Sequence, residues 1–88
     1  MKIGYETERI EFKKSTGELK EGVISISAML NKHGEATLYF GIKNDGTVVG
    51  QQIGDSTLRE ISQAIANHIK PSVIPTISIG FHRKYRKR

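Results

Sequence analysis

The chain contains no cysteine and no tryptophan, and only two prolines in 88 residues. Without cysteine there is no disulfide framework and no thiolate zinc site, a composition that fits a reducing compartment. No apolar run is long enough for a transmembrane helix or for the core of a signal peptide, so a cytoplasmic location and no membrane partner are expected. Nucleotide-cradling glycine patterns are missing too. Gly41, Gly46, Gly50 and Gly54 do not form Gly-x-Gly-x-x-Gly, and no Gly-x4-Gly-Lys-Ser/Thr occurs. The length admits one small domain, which buries about 60 to 65% of the surface its unfolded chain exposes.

What the chain does have is 36% hydrophobic and 26% charged residues, a globular balance. The net charge of +5 is concentrated at one end, because Arg83, Lys84, Arg86, Lys87 and Arg88 are five of the fourteen basic residues. Residues 1–82 are neutral, and 83–88 form a basic tail.

Periodicity orders the elements. Ile10 and Phe12 alternate with Glu11 and Lys13, the pattern of a half-buried strand with the charged pair on its solvated face. Ser15-Thr16-Gly17-Glu18 has capping-box spacing, and Leu19, Val23, Ile26 and Leu30 continue as one helical stripe to about Asn31. Gly34 suits a left-handed C-cap. Residues 37–42 and 47–49 flank Lys43-Asn44-Asp45-Gly46, whose last three residues tolerate positive φ, so a β-hairpin is expected. Asp55 or Ser56 caps a second helix carrying Leu58, Ile61, Ile65 and Ile69, ended by Lys70-Pro71, and Ile77, Ile79 and Phe81 mark a last strand. The expected fold is α+β: a small mixed sheet with two packed helices in the order β-α-β-β-α-β.

Glu6 to Ser15, read as Glu-x4-Glu-Phe-Lys-x-Ser, resembles the opening signature of the Schlafen-type AlbA-like domain. Ser27 to Asn31, Gly34, Leu38 to Gly50, and Ile69-Lys70-Pro71 are similar, in order, to that family's later blocks. One departure is Gly34-Glu35-Ala36, where the family has adjacent glycines. The resemblance implies a nucleic-acid-binding domain, DNA ahead of RNA, within a bacterial transcriptional regulator. Such domains generally continue with further strands where this chain enters its basic tail, so residues 1–82 read as a single domain of this kind, and the resemblance leaves open whether it is truncated at its C-terminus.

The residues expected to contact phosphates are Lys13 and Lys14, beside the free amides of a helix start, and Arg83, Lys84, Arg86, Lys87 and Arg88, with Tyr85 free to stack on a base. Tyr5 is a second free aromatic, whereas Phe12, Tyr39 and Phe40 read as core. His33, His68 and His82 lack metal-site spacing and read as surface or packed imidazoles.

The resemblance also implies an alternative, a metal-dependent endoribonuclease. RNA-cleaving relatives hold Mg²⁺ or Mn²⁺ with acids of the first block and a third from the strand-turn region, which here would be Glu6, Glu11 and Asp45. Lys43 and Asn44 stand where the acidic pair of those relatives would lie, and Glu6 can reach Glu11 only if the chain bends between them. Binding without a cofactor therefore stands first. A third reading is an interaction module that forms a homo-oligomer through an exposed strand edge.

Overall fold

The computed structural model describes residues 2–69. Two strands, β1 (Ile10–Lys13) and β2 (Thr37–Phe40), pair in parallel and are joined by a 3-10 turn (Thr16–Glu18) and helix α1 (Leu19–His33); helix α2 (Thr57–His68) follows. This is α+β, with a small sheet and two packed helices. The expected strand at 76–81, the proline after Lys70, His82 and the tail at 83–88 lie outside the described residues.

The start of α1 departs from a capping box. Ser15 Oγ accepts from Gly17 N at 3.0 Å and Ser15 O from Glu18 N at 3.0 Å, which tightens the first turn to 3-10 geometry before the α-helix begins at Leu19. The helix runs past Asn31 to His33, where Gly34 adopts φ +80° and bonds Leu30 O at 2.9 Å, the expected left-handed cap.

The long expected strand at 37–42 breaks at Gly41, which takes φ +85° where Gly50 crosses it; a Cβ there would lie 2.9 Å from the Gly50 carbonyl carbon. Both Val49 N and Gly50 N donate to Gly41 O, and Ile42 and Val48 form a single antiparallel bridge. The hairpin is thus a tight return rather than a second ladder. Its turn closes through Gly46 N to Lys43 O at 2.8 Å, and of the three residues that tolerate positive φ only Gly46 takes it, at +90°. A turn followed by one left-handed glycine is the three-residue hairpin solution.

Register decides the faces. Glu11 pairs with Leu38 and Lys13 with Phe40, while Ile10 pairs with Thr37 and Phe12 with Tyr39. Partners in a parallel ladder share a face, so Glu11 and Lys13 stand beside Leu38. That is the face α1 covers, because a Cβ on buried Gly22 would come 3.0 Å from Leu38 Cδ2 and 3.3 Å from Lys13 Cγ. The expected solvated face is therefore the helix-packed one. Glycine at 22 lets the Lys13 stem and Leu38 fit beneath the helix, and the lysine tip reaches Glu11.

On the opposite face Phe12 is 1% exposed and meets Tyr39 edge-to-face at 5.9 Å, but Tyr39 itself is 41% exposed and so is not the core residue expected. The main core is Val23, Ile26 and Ile69, flanked by Leu19, Leu30, Leu38 and Ile65. Fully buried Val23 contributes about 1.5 to 3 kcal/mol by leaving water. The α2 stripe docks at its C-terminal end, whereas Leu58 is exposed and Ser56 makes no side-chain cap to the backbone, donating instead to Glu60 Oε2 at 3.1 Å. Ile69 is extended, so α2 ends at His68.

Candidate nucleic-acid interface

A β-strand, a helix and a parallel β-strand bring both strand ends to one side of the sheet, next to the start of the connecting helix. At that carboxyl end lies a depression of about 350 Å³ lined by Lys13, Lys14, Glu18, Lys43, Asn44 and Asp45. The Lys13 carbonyl joins its two walls by accepting Gly41 N at 2.8 Å and Ile42 N at 3.1 Å.

The lysines are not equivalent. Lys13 is committed to Glu11, with Nζ to Oε2 at 3.2 Å and both side chains only 18% exposed. Lys14, one residue on, and Lys43, in the turn, are exposed and form no ion pair among the described residues. The expected pair at 13 and 14 is thus divided, and the partner that Lys14 gains in the depression is Lys43. Sequence reasoning missed Lys43 because it weighed that position only as a lost acid. The signal was the turn beside it: Asn-Asp-Gly folds residue 43 back toward the end of β1.

The helix start does not offer the free amides expected of it. Thr16 N donates to Gln51 Oε1 at 2.8 Å, Gly17 N to Ser15 Oγ, and Glu18 N to Ser15 O. These three amides are therefore not open to an anion.

The turn is also fixed from the amino-terminal side. Ile3 N donates to Gly46 O at 3.0 Å, Lys2 bridges to Thr47, and a Cβ at Gly46 would run into the Gly4 carbonyl. Asp45 accepts from Thr47 N at 2.9 Å and lies 3.9 Å from Lys2 Nζ. Hydrogen bonds from the Thr47 hydroxyl and amide, then the charges of Lys2 and Lys43, hold its carboxyl below the usual carboxylate range. Tyr5, next along the chain, is 79% exposed, as expected of a free aromatic.

The three acids of the metal reading are placed apart. The chain does bend between Glu6 and Glu11, through reciprocal bonds between Thr7 and Ile10, but the bend carries the Glu6 carboxylate to Phe12 N at 3.0 Å. Because Arg9 O and Lys13 O accept from Thr37 N and Gly41 N on the β2 side, the Ile10 and Phe12 amides face the other edge of β1. Thr7 O and Glu6 satisfy those two amides. Glu11 is neutralised by Lys13, while Arg9 lies 3.8 Å from Glu35. With Glu6 on an amide, Glu11 on an ammonium and Asp45 within its turn, the donor set does not fit a shared dication. No group of three or more His, Asp or Glu among the described residues could hold one.

The far end of the sheet has a depression of about 430 Å³ lined by Thr7, Arg9, Ile10, Glu35, Ala36 and Thr37, where the Arg9 charge is balanced by Glu35. Half-buried His33 meets Glu8 there at 3.2 Å. Among the described residues no helix is long and apolar enough to cross a membrane.

A family model described as Schlafen, AlbA_2 matches residues 6–85. No curated protein and no solved structure matches.

Proposed function

The chain belongs to the Schlafen, AlbA_2 family, a membership that points to a nucleic-acid-associated domain, and from it we propose that the chain binds the nucleic-acid backbone, duplex DNA ahead of RNA, as the DNA-contacting part of a transcriptional regulator. The observation that carries this reading is the depression at the carboxyl end of the sheet, whose lining holds exposed Lys14 and Lys43, with Lys13 paired to Glu11 and with Asp45 held in its turn by Thr47, alongside Glu18. Two ammonium groups that form no ion pair among the described residues, on a fixed turn and a fixed helix start, suit successive phosphates, because little ordering is needed on binding. Arg83, Lys84, Arg86, Lys87 and Arg88 add a second source of phosphate contacts, with Tyr85 available for stacking.

Contacts of this kind orient a duplex without reading its sequence, so binding is tolerant of sequence and strongly salt-dependent. No oligomer and no cofactor is required. The testing experiment is a titration with duplex DNA, single-stranded DNA and RNA at two salt concentrations. The reading expects duplex binding that weakens steeply with salt and changes little with sequence; salt-independent binding, or none, would refute it.

A further inference from the structure

Gln51 makes more side-chain hydrogen bonds than any other described residue outside the ion pairs, and it ties its own loop to Thr16, two residues after Lys14 of the lysine depression. Its Oε1 accepts Thr16 N at 2.8 Å, and its Nε2 donates to Thr16 Oγ1 at 3.2 Å and to Gln52 O at 2.9 Å. The donor at Thr16 N and the acceptor at Gln52 O together fix which end of the amide is oxygen. Resting on the nucleic-acid reading above, we infer that Gln51 is a positioning residue for that site: it sets the spacing of Lys14 and Lys43 without touching the ligand.

The connection can be followed bond by bond. Thr16 is two residues after Lys14. Gln51 follows Gly50, whose amide bonds the Gly41 carbonyl at 2.9 Å, and Gly41 is two residues before Lys43. The loop carrying Lys43 is therefore joined to the loop carrying Lys14 through the Gln51 amide, and on the sheet side through the Lys13 carbonyl. A hydrogen bond between residues 35 apart, part-buried at both ends, holds loops that local sequence would leave independent. Gln51 also occupies the first amide of the helix start, so an anion beside Lys14 cannot use that amide and the distance between the two lysine loops matters more.

Gln51→Met keeps the length of the side chain and removes all three bonds. In the full 88-residue chain, binding to a short fluorescein-labelled duplex is followed by anisotropy, and stability by thermal unfolding, for Gln51→Met, Lys43→Ala and the double variant. The expected result is a loss of about fivefold in affinity for Gln51→Met, falling to less than about twofold when Lys43 is already alanine. The shift in melting temperature should be the same in both backgrounds. A merely structural Gln51 would give affinity losses that multiply in full, and that result overturns the inference. So does an unchanged affinity for Gln51→Met where Lys43→Ala weakens binding. If Lys14→Ala and Lys43→Ala both leave affinity unmoved, the nucleic-acid reading of the depression itself has failed. Should Gln51→Met not fold, Thr16→Ala removes only the Oγ1 partner, and the same loss of effect in the Lys43→Ala background is expected of it.

Discussion

Replacing Lys14 and Lys43 together by alanine removes both cations of the depression that lack an ion-pair partner among the described residues, leaving Lys13 with Glu11. On duplex DNA each lost phosphate contact lowers the magnitude of the slope of log K against log salt by about 0.9, so the pair should lower it by about 1.8. Between about 50 and about 200 mM salt that difference amounts to roughly twelvefold: the parent chain loses about twelve times more affinity over the interval than the variant does. Anisotropy titrations of one duplex at four or more salt concentrations measure it. Lys13→Ala is the internal control. It removes a cation already facing a carboxylate at 3.2 Å, so the slope should hardly change. Its cost should be in stability, about 1 to 2 kcal/mol, because Glu11 is left uncompensated at 18% exposure. If Lys13→Ala flattened the slope as much as the double variant, the division of labour among these lysines would be wrong.

Glu6→Ala should uncover the Phe12 amide, cost about 1 kcal/mol and promote self-association seen by sedimentation velocity, while Glu6→Gln, which still accepts the bond, should stay monomeric. Gly46→Ala should lower the unfolding free energy by at least about 2 kcal/mol in chemical denaturation, since it combines a left-handed φ with a Cβ placed on the Gly4 carbonyl. Asp45 has a lowered folded-state pKa, so its contribution is present above the unfolded carboxylate pKa and is lost as pH falls through the folded value; the protection factor of the Thr47 amide, its exchange relative to the intrinsic rate at the same pH, should fall only in acid below the usual carboxylate range. With Glu6, Glu11 and Asp45 engaged apart from one another, no Mn²⁺-dependent cleavage of a structured RNA is expected, and cleavage abolished by Glu11→Gln would reverse that conclusion.

Much of the fold is legible in the sequence because local signals there are strong. The stripe of Val23 and Ile26, the Gly34 cap and the turn ending at Gly46 follow from helical spacing and from glycine's access to positive φ. The face of β1 was not legible. Alternation states that Ile10 and Phe12 oppose Glu11 and Lys13, but not which side the helix covers, and here tertiary packing reversed the usual polarity by pairing Glu11 with Lys13 beside a glycine. The site was half legible. Lys14 belongs to the motif-bearing stretch and Lys43 is signalled by the turn beside it, but Gln51 reaches Thr16 only through a contact of long sequence separation, for which a one-dimensional pattern has no signal.

Docking of nucleic acid at the carboxyl end of the parallel strands can be read residue by residue from backbone amide chemical shifts of the ¹⁵N-labelled chain during titration with a short DNA duplex. Shifts should concentrate at residues 13–18 and 41–47, weakening together as salt is raised, with Thr7, Arg9 and Ala36 at the opposite end unmoved. Shifts centred on Thr7, Arg9 and Ala36, with Lys14 and Lys43 unchanged, would contradict it.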